Sequence, residues 1–313
     1  MKYYLAIDFG GTRLRAALFD DSFQIVKRTE TLSMVSEGQE AVLERIITTG
    51  KSVLPDDVEP LAIGIAAPGP LDAEQGIIIK AETLPNWHYV PIRQIVSDAF
   101  GGVPTYVQND GNLGALAEYH QGAGKATNPM IYMTISTGIG GGIIINGNLF
   151  TGVMSLAAEP GHMRLTLPDG SHRRLEELAS GTALATWANH YLNTTDSPSS
   201  LRILSNVDGK AVGEAATSGD LFALQIVQQA GIWLGLGLVN IVHLFNPEAI
   251  VLGGSVTKLG DLILAPAVQT LRENILFDGF IPENLIRYAQ NDEDMCLLGA
   301  VHHCKYQLML QSH

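Results

Sequence analysis

The chain has 313 residues, 46% of them hydrophobic, and 19 basic against 32 acidic side chains leave a net charge of −13. That apolar share supports a full core and excludes a disordered chain, while the length fits two domains or one large one. The scattered Lys and Arg exclude a nucleic-acid surface, where neutralising phosphates needs clustered cations. The opening MKYYLAIDFGG has no long apolar h-region, the most apolar helical run (232–245) is short for a bilayer span, and Cys296 and Cys304 make no disulfide framework. A cytoplasmic protein without signal peptide or membrane segment is expected.

Residues 3–7 form a β-type run that ends at Asp8-Phe9-Gly10-Gly11-Thr12; a second run, 14–19, turns at Asp20-Asp21. A carboxylate at a strand end can hold Mg²⁺ or its waters, the alternative for Asp8 being a turn or cap aspartate. Apolar residues at helical spacing (Val42, Leu43, Ile46, Ile47) predict a covering helix over 38–54, and 60–67 reads as a buried strand running into Pro68-Gly69-Pro70-Leu71-Asp72. Leu84-Pro85-Asn86-Trp87 offers Asn86 and Trp87 as ligand contacts, with half-buried packing the other reading of Trp87. A helix over 92–100 and a strand over 103–108 follow, and this alternation predicts a sheet with helices on its faces. The strand delivers Asn109-Asp110-Gly111-Asn112 to a helix expected over 113–119. Asp110 is there either a plain N-cap or a carboxylate whose ionised form the helix dipole favours.

Residues 130–149, MIYMTISTGIGGGIIINGNL, repeat the first layout. An apolar run enters a glycine turn read over 136–142, a second apolar run covers 143–145, and Asn146-Gly147 forms a hairpin loop. Gly138, Gly140, Gly141 and Gly142 let the backbone approach a ligand and point several N–H groups at one anion. Two such units about 130 residues apart predict a duplicated architecture with two phosphate-gripping turns facing one cleft. Glu159 and His162 flank a Pro160-Gly161 turn; the histidine could be a metal ligand, a sugar hydrogen-bonding group or a satisfied core histidine. Leu175-Glu176-Glu177 opens a helix that continues to Tyr191, and 193–200 is a polar loop. Helices over 212–216 and 221–245 follow, the second with Gly231, Gly235 and Gly237 for close packing. A strand over 247–252 ends in Gly253-Gly254-Ser255, and helices over 265–275 and 297–309 complete the chain.

With these motifs in this order, nearly end to end, the chain resembles the ROK family (repressors, open reading frames and sugar kinases) of the actin/hexokinase/Hsp70-like ATPase superfamily. The landmarks are 8–12, 67–70, 84–87, Asn109-Asp110, 137–142, 159–162 and Gly253-Gly254. The resemblance implies an α/β, two-lobed actin-like ATPase (ribonuclease H-like) fold with a central cleft. Its lobes are expected to be 1–108 plus about 297–313, and 109–296. It implies ATP and Mg²⁺ between the two glycine turns and transfer of the γ-phosphoryl group to the 6-hydroxyl of a hexose. Glucose is the family's commonest substrate; N-acetylmannosamine, N-acetylglucosamine, fructose and β-glucoside kinases share the motifs. On this mapping Asp110 is the catalytic base, and Asn86, Asn109, Glu159, His162 and Glu176 bind the sugar with it. Asp8 places Mg²⁺ through water, Gly10, Gly11, Thr12, Thr137 and Gly138 cradle phosphates, and Gly253 and Gly254 line the adenosine side. A homodimer is implied as well.

The chain departs from the pattern in one segment. Many family members follow the Glu-x-Gly-His turn with a structural zinc cluster of one histidine and three cysteines. Here 163–174 reads MRLTLPDGSHRR, without cysteine, and His162 and His172 alone do not make such a site, so no structural zinc is expected. Glu177 replaces Glu176 in the mapping if the shortened loop shifts the register, and Ser136 stands where the family usually has Gly. The rival class is a sugar-sensing regulator. Family repressors carry an N-terminal helix-turn-helix of roughly 60–80 residues, and with Asp8 already in the first phosphate turn no such module, no DNA and no membrane partner are expected. A catalytically silent sugar-binding protein is the remaining alternative.

Overall fold

The computed structural model describes residues 2–81, 83–290 and 293–311. Contacts divide the chain into two compact units, one of Met1–Lys125, Asn148–Ala158 and Glu293–His313, the other of Ala126–Gly147 and Glu159–Asp292.

In the first unit β1 (Tyr3–Phe9) pairs antiparallel with β2 (Arg13–Asp20) and parallel with β4 (Ala62–Ala67). The sheet order is β3-β2-β1-β4-β8, with β3 (Ile25–Leu32) and β8 (Thr105–Asn109) at its edges. The central β4, AIGIAA, is buried throughout, whereas β3 carries Lys27, Arg28 and Glu30 on a mostly exposed edge, where charge deters further pairing. Helices α1 (Gln39–Ser52) and α2 (Ile92–Ala99) bury Val42, Ile46, Ile92 and Val96 in a core with Leu5, Ile7, Leu18, Ile63 and Val107. A small sheet of β5 (Leu71–Asp72), β6 (Ile77–Lys80) and β7 (His88–Val90) follows β4.

Helix α3 (Asp110–Gln121) stays with this unit although the sequence reading divided the chain at 108/109. The reason is its packing on the C-terminal α9 (Met295–Gln311). A Cβ on Gly299 would stand 1.9 Å from the Leu113 carbonyl oxygen, and one on Gly64 of β4 would stand 2.6 Å from that of Ala300. Glycines therefore let α9 lie against both α3 and the sheet.

In the second unit the order β10-β9-β14-β15 joins β9 (Met130–Ile135) antiparallel to β10 (Ile139–Ile145) and parallel to β14 (Ala249–Gly253), which runs parallel to β15 (Ile286–Tyr288). After β10, Asn146 (φ 53°) and Gly147 (φ 77°) make the expected hairpin loop into the two-residue β11 (Asn148–Leu149). β12 (Arg164–Thr166) and β13 (His172–Arg174) form a separate ribbon. The helix expected from 175 to 191 is broken in two, α4 (Glu176–Ala179) and α5 (Gly181–Thr194), because Ser180 leaves the helical conformation and caps α5 by accepting from the Ala183 amide.

α6 (Gly209–Thr217), α7 (Leu221–Phe245) and α8 (Asp261–Asn274) complete the unit. With 25 residues, α7 is long and apolar enough to cross a membrane, but 61% of its most apolar window is buried inside the protein. Gly231 and Gly235 bring it against the backbone of α8, where a Cβ would meet the carbonyl oxygens of Ile263 and Ala267 at 2.4 and 2.5 Å. It is a core helix.

Candidate active site

The first glycine turn is short and tightly seated. Gly10 N–H donates to the Arg13 carbonyl at 3.0 Å, returning the chain into β2 in a register that sets Asp8 opposite Arg15. A Cβ on Gly11 would stand 2.9 Å from the Thr83 carbonyl oxygen, so the 83–87 segment lies directly on this turn, while Gly10 has nothing within 4 Å of where its Cβ would be. Trp87 is 1% exposed and packs 5.7 Å from Phe9; it is core rather than a ligand contact. Its burial anchors the loop on which Asn86 stands exposed with φ 65°.

Asp8, 8% exposed, receives a hydrogen bond on Oδ2 from Arg15 Nη2 at 2.5 Å. Arg15 Nη1 donates to the Glu293 carbonyl, and Arg28 Nε binds Asp294 at 2.7 Å. Burial pushes the Asp8 carboxyl up to about 6, with Arg15 pulling it down and Asp110 pushing it up. Asp110 is the first residue of α3, but the N-cap is Asn109, whose side chain accepts from the Asn112 amide at 2.7 Å. Gln108 Oε1 accepts from the Asn109 amide at 2.9 Å and from Asn112 Nδ2 at 3.1 Å, fixing the junction. The Asp110 side chain keeps an outer surface open to solvent and accepts from the Gly111 amide at 2.8 Å. Crowding by protein raises its pKa while the amide bond opposes the rise. The Cys296 thiol donates to the Asp110 carbonyl at 3.8 Å, and burial with the neighbouring Asp8 and Asp110 charges raises its pKa well above the ordinary value, keeping it a thiol.

In the second unit the turn after β9 is only Ser136-Thr137-Gly138, closed by the Ser136 amide on the Gly138 carbonyl at 2.9 Å. Gly140, Gly141 and Gly142 belong to β10, not to the turn read over 136–142. Gly141 is a glycine for packing: a Cβ there would stand 2.8 Å from Pro160 Cγ, and one on Gly161 would stand 2.2 Å from the Ile139 carbonyl oxygen. The Glu159–His162 turn thus lies against the start of β10. The α5 N-terminus closes on the same turn, Gly181 N–H to Ser136 O at 2.7 Å and Thr182 N–H to Thr137 O at 3.3 Å.

Beside this turn opens a cavity of about 750 Å³, lined by Ser136, Thr137, Thr182, Asp208, Gly209, Lys210, Gly213, Ser255 and Lys258 among others. Its size suits a nucleoside-sized ligand. Gly253 is buried in β14 and Gly254 takes φ 93° against the Ile135 backbone; neither lines the cavity, which Ser255, Val256, Lys258 and Leu259 border just after them.

Glu159, His162 and Glu176 come together around Arg174, which sequence reasoning missed. His162 Nδ1 lies 3.5 Å from Glu159 Oε2, and Arg174 Nη1 lies 2.8 Å from Glu176 Oε1 and 3.3 Å from His162 Nε2. A Cβ on Gly138 would stand 3.1 Å from Glu176 Oε2, so Glu176 faces the turn, whereas Glu177 turns back to accept from the Arg174 amide at 2.7 Å. Of the two register alternatives, Glu176 borders the turn. Among the described residues no group of three or more His, Cys, Asp or Glu side chains could hold a metal ion. Arg15 was also missed; its signal was its place opposite Asp8 once the turn length is fixed.

The first unit holds a glycine turn with a strand-end carboxylate and a second carboxylate, and the second holds a glycine turn beside a nucleoside-sized cavity, features of the actin-like ATPase class. The chain belongs to the ROK family, whose model matches residues 4–306. It is 29% identical over 305 residues to the glucokinase of Thermotoga maritima, covering 95% of both chains. It is 31% identical over 230 residues to the xylose repressor of Caldicellulosiruptor bescii, covering 71% of this chain and 56% of that relative. The structure of the ROK family glucokinase from Streptomyces griseus in complex with glucose and AMPPNP superposes with a TM-score of 0.79 at 30% identity, over 95% of this chain and 97% of that one. These likenesses place the chain among sugar kinases of the family and their regulator relatives, with the two-lobed actin-like ATPase fold of those kinases.

Proposed function

We propose that the protein is an ATP-dependent kinase that transfers the γ-phosphoryl group of ATP to the 6-hydroxyl of glucose. What supports this most is Asp110, a crowded carboxylate at a strand–helix junction within electrostatic reach of Asp8, in a chain similar to a glucokinase bound to glucose and AMPPNP. Asp110 accepts the proton of the 6-hydroxyl as its oxygen bonds to phosphorus and the bond from phosphorus to the ADP oxygen breaks. Its raised pKa makes it a better acceptor than an ordinary aspartate, while the Gly111 amide favours its ionised form.

Asn109, Glu159, His162 and Glu176, with Asn86 on its loop, pair with the sugar hydroxyls, and a wrong epimer leaves such groups unpaired. Gly10, Gly11, Thr12, Thr137 and Gly138 present backbone and hydroxyl donors to the phosphates, and the open space over Gly10 fits that use. The cavity lined by Ser255 and Lys258 takes the nucleoside. Mg²⁺, when bound, neutralises phosphate charge. Asp8 fits as its partner through water: its carboxylate is fixed on one oxygen by Arg15 and is largely ionised above pH 6. Exposed Ile203, Leu221, Leu244 and Leu276 in the second unit support a homodimer.

An ADP-release assay across glucose, fructose, mannose, allose, N-acetylglucosamine, N-acetylmannosamine and a β-glucoside tests the reading. Turnover greatest on glucose is expected, and no turnover on any sugar overturns it. The xylose-repressor likeness supports a second reading, sugar binding without phosphoryl transfer, which calorimetric sugar binding in that inactive protein would favour.

A further inference from the structure

The guanidinium of Arg174 is the common partner of two of the groups assigned above to the sugar, His162 and Glu176. It sits at the end of β13 and reaches Glu176 Oε1 at 2.8 Å, His162 Nε2 at 3.3 Å and, through Nε, Glu177 Oε2 at 3.5 Å. Arg174 Nη1 and Glu159 Oε2 thus flank the His162 ring on its two nitrogen sides, at 3.3 Å and 3.5 Å. The same contact turns Glu176 so that one oxygen meets Arg174 and the other lies over Gly138. One side chain therefore contacts both His162 and Glu176, residues 14 apart in sequence, and sets the direction of Glu176. The intervening segment has no cysteine, so no thiolate can tie it.

We propose that Arg174 is the positioning residue of the sugar site, holding His162 and Glu176 in the arrangement that reads the substrate hydroxyls. Lysine does not replace it, because an ammonium group lacks the planar fork that holds an imidazole and a carboxylate at once. The proposal rests on the kinase reading above. It concerns substrate binding rather than chemistry, since Arg174 is distinct from the Asp110 base and from the nucleotide cavity.

The test is steady-state kinetics of the full chain with Arg174→Gln, Arg174→Lys and Arg174→Ala, together with their melting temperatures. In Arg174→Gln the KM for glucose rises about tenfold or more, as misplaced substrate groups require, with kcat and the KM for ATP within about threefold and an unchanged melting transition. Arg174→Lys recovers only part of the loss, and ethylguanidine added to Arg174→Ala lowers its glucose KM without affecting the wild type. An unchanged glucose KM in Arg174→Gln overturns the proposal. So does a parallel loss of kcat and both KM values with a lowered melting temperature and no ethylguanidine rescue, which marks a folding role alone. If the wild type turns over no sugar, the kinase reading fails, and glucose titrations of tryptophan fluorescence score the same variants. A wild type that neither phosphorylates nor binds a tested sugar overturns both.

Discussion

A carboxylate serves as a base only while ionised, and burial works against ionisation. Asp8 has its pKa raised to about 6 by burial, and that of Asp110, which keeps a surface open to solvent, is raised by the protein crowded around it. Activity that needs both ionised falls as pH drops through about 6, rather than near the 3.8 of a free aspartate, and a pH profile of kcat/KM reads the limb directly. The sign for stability is the opposite. The folded pKa of Asp8 exceeds the unfolded one, so the folded state binds this proton more tightly. Its contribution is fully present below about 3.8 and is lost as pH rises through about 6. Replacing the base, Asp110→Asn, lowers kcat by about 10²–10⁴-fold while glucose still binds. Full turnover in that variant would remove Asp110 from its role.

At the scale of elements, the first glycine turn separates packing from binding. Gly11→Ala places a methyl 2.9 Å from a backbone oxygen and destabilises the fold by about 1–3 kcal/mol. Gly10→Ala meets nothing within 4 Å and changes stability by less than about 0.5 kcal/mol, yet raises the KM for ATP, because its methyl occupies space a phosphate would use. Melting curves and ATP kinetics of the pair check both halves, and an unchanged ATP KM in Gly10→Ala removes that turn from nucleotide binding. The same contrast explains what could be read from the sequence. Strands β1, β4, β9 and β14 and the Asn146-Gly147 loop were legible because their signals are local. That Gly140–Gly142 belong to a strand was not, because it is their pairing with Thr134, Met133 and Tyr132 of β9 that makes them one, and Pro160, which packs on Gly141, comes from a later turn. Arg174 was invisible for a like cause: one of two adjacent arginines in a polar ribbon, it carries no pattern until its partners are known.

For the whole molecule, the net charge of −13 meets an anionic co-substrate. Long-range repulsion slows ATP association at low ionic strength and is screened within about 10 Å at 0.1 M salt. The kcat/KM for ATP therefore rises from low to physiological ionic strength, while that for uncharged glucose stays flat; a fall for ATP would point to locally positive steering. The threading of the first unit carries a consequence for biosynthesis. Arg15 and Asp110 are made before the second unit, but Glu293 and Cys296, which meet them, and α9, which packs on α3 and β4, are made only after it. The nascent chain holds its proposed base unfinished while the second unit, closed by residue 292, is already complete in sequence. A chain cut after residue 292 therefore lacks the contacts that Glu293, Cys296 and α9 make with Arg15, Asp110 and α3.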